Sequence, residues 1–338
     1  MTAAPGALAL HRHAAGAGPW TFHLHPVAWL AIAALVLAYA LAARRVARRA
    51  GPAALPARRQ RLLLAGAVAA LVLALTWPLA DLAAHWSLTA LVVQRLLLTL
   101  AVAPLLLLAT PVPVLAALTR PAPLDACLAV LTRPVVAVVA FSAVAVGTLL
   151  TPAVAAQASS PWWRGAIAAT LVLGGAVLWG PALRRVPGAH RTLPVALAAY
   201  LFVQSVVPTF PAIVYVFARH PLYPAFAGAH RAIGLSPLVD QQLAGVVAKV
   251  ATLPVLWSAA WAALARAQRV EAAAGDDEPL TWAEVERQLE RAGRAERRGR
   301  PGLYRRLKYG AHAPAASALP AGTDIPHSRA DGPGPPGP

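Results

Sequence analysis

The chain has 338 residues, of which 58% are apolar and only 13% are charged, and its formal net charge is +17. Soluble proteins carry about 25% charged residues, so this composition excludes an ordinary soluble domain and indicates a membrane protein. The positive charge does not indicate nucleic-acid binding, because the basic residues lie between long apolar runs. Cys127 and Met1 are the only sulfur-containing residues, so any soft-metal site must be built from histidine.

Seven apolar runs approach or reach the roughly 20 residues that a helix needs to cross a bilayer core. They extend over residues 27–43, 62–79, 88–109, 134–154, 165–183, 193–217 and 243–265. The short apolar stretch 112–117 is flanked by Pro111, Pro113 and Pro121, and we expect it to be interfacial or re-entrant. The sequence therefore predicts an all-α polytopic membrane helix bundle with seven transmembrane helices over residues 27–265.

The loops differ in arginine content, which predicts their orientation. Fourteen arginines follow the first, third, fifth and seventh runs, and four lie on the opposite side. The arginine-rich side is predicted to be cytoplasmic, so that residues 1–26 lie outside. No cationic segment precedes the first apolar run, so we expect a retained anchor and not a cleaved signal peptide. The predicted location is the plasma membrane, with the carboxyl terminus in the cytoplasm.

The composition changes after the last run. Thr281 followed by Glu284 is a capping-box pattern, and it predicts a short amphipathic helix over about 282–298 within a cytoplasmic juxtamembrane region, 266–310. Residues 311–338 are rich in Pro, Gly, Ala and Ser and are predicted to be a disordered tail. The basic residues beside the last run can contact anionic lipid.

Most histidines fall on the predicted outer side. They are His11, His13, His23, His25, His85, His220 and His230. Neutral imidazole binds copper or haem iron, so His85, His220 and His230 are candidate metal ligands. The alternative is that they are polar loop residues, since no HxxxH pair lies on a helix.

Gln94 and Arg95 in the third apolar run and Lys249 in the seventh are candidate functional residues within the membrane. Charged groups at such depth usually face the bundle interior or a water-filled cavity. Arg95 and Lys249 each lie about 12 to 14 Å from the outer end at 1.5 Å per residue, so they can form one cationic pocket with Asp240 or Asp81 as counter-ion. The alternative is that both side chains snorkel to the interface.

Asp240, Gln241 and Gln242 open the seventh run. An aspartate at a helix amino terminus is expected to cap that helix and to complement its dipole, but this leaves the two glutamines unexplained. No Ser-His-Asp order, phosphate-binding loop or HExxH motif is present, so no enzyme is predicted.

Several of these segments resemble the CtaG-like cytochrome c oxidase assembly factor family. The similar segments are Trp77-Pro78-Leu79, Ser87, Gln94-Arg95-Leu96, Ala103-Pro104-Leu105, Trp179, and Leu222-Tyr223-Pro224 followed by Asp240-Gln241-Gln242-Leu243-Ala244-Gly245. The resemblance runs over about 26–265. It implies a plasma-membrane protein that helps to assemble a haem-copper oxidase, working with oxidase subunits or other assembly factors and assisting copper insertion at the outer face. Copper is the first candidate cofactor and haem the second.

The chain also departs from that family's pattern. Histidines that family members carry in helix three fall at Leu91 and Arg95, two others fall at Leu150 and near Ala168, and a helix-seven tryptophan falls at Lys249. Two further hypotheses therefore stand beside the assembly factor. One is a diverged relative whose pocket at Arg95 and Lys249 binds an anionic group such as a lipid head group or haem propionate. The other is a small-solute transporter, which broken helices would support.

Overall fold

The structure is a computed structural model that describes residues 20–51, 55–185, 193–226, 234–275 and 286. The chain divides into two compact units, Met1–Arg269 and Val270–Pro338. In the second unit the described residues are the end of the last helix and Glu286, so the predicted juxtamembrane helix, apart from Glu286, and the tail lie outside the described residues.

All regular structure in the described residues is helical. The helices are α1 (Pro26–Ala50), α2 (Arg58–Leu75), α3 (Leu79–Trp86), α4 (Leu88–Ala109), α5 (Val112–Thr119), α6 (Ala122–Leu131), α7 (Pro134–Gly147), α8 (Thr151–Ser159), α9 (Pro161–Leu183), α10 (Pro194–Val206), α11 (Phe210–Phe217) and α12 (Pro237–Gly275), with a 3₁₀ turn at Pro224–Phe226.

Five segments are long and apolar enough to cross a membrane: α1, α4, α9, Pro194–Phe217 and Pro237–Arg269. Three helix pairs are bent, α2 with α3 by 48°, α5 with α6 by 111°, and α7 with α8 by 60°. By length and composition the described residues hold between five and eight spans. The predicted seven are compatible with this range if α2–α3 and α7–α8 each cross once and α5–α6 turns back.

The helices over the predicted runs 62–79 and 134–154 are bent, because proline interrupts both runs. Pro78 follows the end of α2, and α8 begins at Thr151–Pro152. Proline is tolerated in the first turn of a helix, where its missing N–H has no intrahelical partner, but not in the interior. Proline also stands at the start of other helices. One of the first two positions is proline in each of α5, α6, α7, α9 and α10.

The predicted sixth run is one candidate span, Pro194–Phe217, but its helix is interrupted between Val206 and Phe210, beside Pro208. In α4 a π-helical segment, Leu97–Val102, ends two residues before Pro104. The helix is wider in this segment. The extra width accommodates Pro104, which has no backbone N–H to donate and whose ring would clash with the preceding turn of an α-helix.

The core lies around α4, which packs against α2 and α9. Gly175 of α9 allows a close approach: a Cβ placed on it would lie 2.6 Å from the Cβ of Ala103 and 2.9 Å from the carbonyl oxygen of Thr99. The indole Nε1 of Trp179, one turn along α9, donates to the same Thr99 carbonyl at 3.0 Å. Small residues at such a crossing let two helix backbones pack closely in a membrane. This contact holds α4 firmly in the bundle.

Candidate functional site

One end of the bundle, where α4, α9 and α12 begin, holds most of the predicted site residues, and we call it the α4 end. The start of α12 contacts the start of α4 through Asp240 and Ser87. The segment before α1 contacts α3 through His23 and Asp81. The loop between α7 and α8 contacts α4 through Thr148 and Arg95. Residues that are far apart in the sequence are thus assembled into one polar region.

Asp240 caps α4 and not the helix to which it belongs, so this part of the prediction was wrong. Its carboxylate accepts hydrogen bonds from Ser87 Oγ at 2.8 Å, Leu88 N at 2.6 Å and Thr89 N at 3.3 Å. The side chain of Ser236 accepts from Val239 N at 3.3 Å and caps α12 instead. Asp240 still lies in the first turn of α12. A buried carboxylate therefore faces the positive ends of two helices at once.

Ser87 links this cap to its own helix. Its Oγ donates to Asp240 and accepts from Ala90 N at 3.1 Å, and Thr89 Oγ1 donates to the backbone oxygen of Asp240 at 2.9 Å. Asp240 is only 2% exposed. The first backbone N–H groups of α4 have no acceptor within their own helix, and lipid offers none. The side chains of Asp240 and Ser87 supply these acceptors.

Gln94 and Arg95 form a buried network with α8. Gln94 donates to the carbonyl oxygen of Ala74 at 2.7 Å and accepts from Gln157 Nε2 at 2.9 Å. Arg95 Nη2 donates to the Thr148 carbonyl at 2.5 Å and to Gln157 Oε1 at 3.3 Å. Both residues of α4 are 6% exposed. Arg95 is thus held by neutral acceptors, and it does not snorkel to the interface.

Gln241 and Gln242, which the capping interpretation left unexplained, bind the segment after α11. Gln241 Oε1 accepts from Leu222 N at 2.7 Å, and Gln242 Nε2 donates to the Ala218 carbonyl at 3.4 Å. Tyr223 lies next to Leu222 in this segment, and its hydroxyl donates a hydrogen bond to the Leu149 carbonyl at 2.6 Å. The two glutamines therefore fasten the 217–226 connection to the start of α12.

Arg95 lines a small cavity, and Lys249 reaches one of the residues that line it. Lys249 Nζ donates to Thr209 Oγ1 at 2.8 Å. Thr209, Arg95 and Gln204 line a cavity of about 80 Å³. Nη1 of Arg95 and Oε1 of Gln204 are buried without a hydrogen-bond partner among the described residues. This volume is large enough for a few water-sized groups.

A second polar group surrounds Asp81. His23 Nδ1 lies 3.2 Å from Asp81 Oδ2 in a hydrogen bond, and His25 Nε2 lies 3.3 Å from the same oxygen but outside hydrogen-bond geometry. His85 is exposed and lies within electrostatic range of Asp81 and Arg164. Two histidines that the sequence placed only on the outer side thus meet an aspartate from another helix.

The structure describes only two of the three predicted metal ligands, His85 and His220. His85 and His220 are both exposed, and His230 lies outside the described residues. Among the residues that the structure describes, no group of three or more His, Cys, Asp or Glu side chains is arranged to hold a metal ion. The donor set of this part of the chain therefore does not fit a copper site.

Sequence reasoning missed Gln157 and Thr148, which carry the Arg95 network. Gln157 is the one amide side chain of α8 and is 3% exposed, and an amide among the small apolar residues 153–158 was a usable signal. Thr148 gives no such signal, because its backbone carbonyl is the main acceptor.

The model of one protein family, the cytochrome c oxidase caa3 assembly factors, matches residues 37–269. This range includes α4, α8, α9 and the start of α12, and therefore both the Asp240 cap and the Arg95 network. Neither the curated proteins nor the solved structures include a match to this chain.

Proposed function

This chain belongs to the cytochrome c oxidase caa3 assembly factor family, and we propose that it assists the assembly of a haem-copper oxidase at the α4 end of its bundle. The observation that carries the proposal is the buried Asp240 carboxylate, which ties α12 to the start of α4. A buried charge is costly unless its hydrogen bonds are complete, and here three donors reach the Asp240 carboxylate. The α4 end is therefore a rigid platform on which a partner can dock.

We infer that this end faces the outside of the plasma membrane. The arginine bias supports this orientation, because fourteen arginines of the loops and the juxtamembrane region belong to the opposite side and four to this one. Exposed aromatic side chains, Trp162 and Trp163, stand at the start of α9, as expected for residues at a membrane interface. The carboxyl terminus then lies in the cytoplasm.

The proposed role is non-catalytic and works through protein contacts with oxidase subunits or other assembly factors. Exposed polar groups at the α4 end, His23, His85 and His220, are available to a partner. We derive no copper step, because the described residues do not form a copper site. Copper insertion through His85, His220 and His230 stays a narrower hypothesis, which a metal analysis of the purified protein tests.

A second candidate function is supported by the small cavity beside Arg95. A buried guanidinium with an unpartnered Nη1 and a nearby ammonium group, Lys249, can receive a small anionic group. In this alternative the protein binds the anionic part of a component that is delivered to the oxidase.

The transporter hypothesis depends on a different feature, the bent helix pairs α2–α3 and α7–α8.

A deletion strain tests the main proposal. We expect its membranes to lose the visible absorption of the oxidase haems and the oxidation of cytochrome c, and we expect the full chain to restore both. Normal oxidase spectra and activity in the deletion strain would overturn the proposal.

Elemental analysis of the purified protein decides the copper hypothesis. Stoichiometric copper that disappears on changing His85, His220 or His230 to alanine supports it, and copper-free wild-type protein overturns it.

A further inference from the structure

A cavity of about 550 Å³ lies between α1, α2, α4 and α9. This size is within the range of about 300 to 1,000 Å³ that is common for ligand sites. Its walls are almost entirely apolar, for example Leu35, Leu71, Leu106 and Leu173. The polar groups lining it are few and include His25 and Arg164.

The cavity exists because α1 packs loosely. Only Ile32 and Ala43 of α1 are buried. Small residues, Ala28 and Ala31 of α1 and Gly165 and Ala169 of α9, border the space and do not close it. A Cβ added at Gly165 would meet nothing within 4 Å. Small residues at a helix crossing usually allow close packing, so an open gap lined by them has room for another molecule.

Two of these polar groups, Arg164 and His25, stand at one end of this space, and His25 Nε2 lies 3.3 Å from Asp81 Oδ2. Arg164 lies in the first turn of α9, is half-buried, and its guanidinium makes no hydrogen bond or ion pair with any described residue. His25 has a side chain that is 12% exposed, and its Nε2 is buried without a hydrogen-bond partner in the described part of the chain. Asp81 lies within electrostatic range of Arg164, but its Oδ2 is already contacted by His23 and His25.

The dimensions match one leaflet of a bilayer. From His25 to Leu35 along α1 the wall extends about 15 Å at 1.5 Å per residue, and the wall from Arg164 to Leu173 along α9 is of similar length. Half of a bilayer core is also about 15 Å. The cavity thus has a cationic end at the interface, beside the exposed Trp162 and Trp163, and an apolar body that reaches the middle of the membrane.

We propose that this cavity binds one anionic phospholipid, with its phosphate at Arg164 and His25 and an acyl chain between α1 and α9. The guanidinium supplies charged donors for phosphate, and the apolar walls cover the chain. The lipid would fill the gap beside α1 and so set the position of that helix. The proposal does not depend on the role in oxidase assembly.

Native mass spectrometry of the full chain in detergent tests the proposal, with delipidated protein titrated with phosphatidylglycerol or with phosphatidylcholine of the same acyl chains. We expect a one-to-one complex in which phosphatidylglycerol binds about tenfold more tightly, because the choline ammonium of phosphatidylcholine offsets the negative charge that Arg164 attracts. We expect Arg164→Gln to abolish this preference, while Arg133→Gln, at an exposed arginine that does not line the cavity, preserves it.

Gly165→Leu fills the cavity, and we expect it to weaken the binding of both lipids about tenfold. Gly147→Leu is its matched control, because a Cβ there also meets nothing within 4 Å and Gly147 does not line the cavity. If Gly165→Leu fails to fold, the Arg164 pair of variants decides alone. Equal binding of the two lipids by the wild type, or a preference that survives Arg164→Gln, would overturn the proposal. A haem spectrum that co-purifies with the wild type and is lost in Gly165→Leu would overturn it too, since haem would then be the occupant.

Discussion

Asp240 and Ser87 are 153 residues apart in the sequence, yet the carboxylate of Asp240 accepts a hydrogen bond from Ser87 Oγ at 2.8 Å. The same carboxylate accepts from the first backbone N–H of α4. One side chain thereby joins the last span to the central one, and the stability of the α4 end depends on it.

Replacing Asp240 with asparagine removes the charge and part of the acceptor capacity, while the shape of the side chain is kept. We expect the free energy of unfolding to fall by about 2 kcal/mol, because a helix cap and hydrogen bonds to a buried charge are lost together. Asp125→Asn is the matched control, because Asp125 is exposed near the start of α6. Thermal unfolding in detergent, followed by tryptophan fluorescence, measures both variants. Equal melting temperatures would show that the cap does not stabilise the protein.

The contact between Arg95 and Gln157 predicts a coupling that a double-mutant cycle can measure. Gln157→Leu removes an acceptor from a buried guanidinium, so we expect it to destabilise the protein. In an Arg95→Leu background the same change should cost about 1 to 2 kcal/mol less, because no buried charge is left without a partner. Strictly additive effects on the free energy of unfolding would contradict a direct interaction.

Gly175 and Gly165 lie on the same helix but in different surroundings. Gly175→Ala would place a methyl group 2.6 Å from the Cβ of Ala103 and 2.9 Å from a backbone oxygen, so α4 and α9 must separate. We expect a loss of about 1 to 3 kcal/mol, as is typical of an overpacked core. Gly165→Ala meets open space and should leave stability unchanged or slightly raised. The melting temperatures of the two variants in detergent give the comparison, and the prediction fails if they are equal.

The anion-binding alternative predicts that both cations are needed for function. Under that hypothesis Arg95→Leu and Lys249→Leu each lower the oxidase activity that the full chain restores to a deletion strain, at an unchanged level of the protein in the membrane. Arg133→Leu, at an exposed arginine, is the control. If Lys249→Leu restores full activity, the cavity beside Arg95 does not serve as a two-cation site, and the bond between Lys249 and Thr209 is structural.

The sequence allowed the class of the protein and its family to be predicted, because hydropathy and local motifs are properties of contiguous residues. The runs at 88–109 and 165–183 correspond closely to α4 and α9. The element around Asp240, Gln241 and Gln242 indicated the family that the match over residues 37–269 shows. Lone polar residues in apolar runs also identified Gln94 and Arg95 as buried groups worth attention.

Only the tertiary structure decided which groups those residues contact. An aspartate at the start of a helix has the same local sequence whether it caps its own helix or a neighbouring one, and here the packing of α12 against α4 selected the neighbour. Likewise, nothing in the sequence around His25 or Arg164 indicates that both border one cavity, which depends on how loosely α1 packs. The amino-acid sequence thus determined which segments are apolar enough to lie in a membrane, through the free energy of burying each segment. The partners of its buried charges were decided by contacts between segments far apart in the chain.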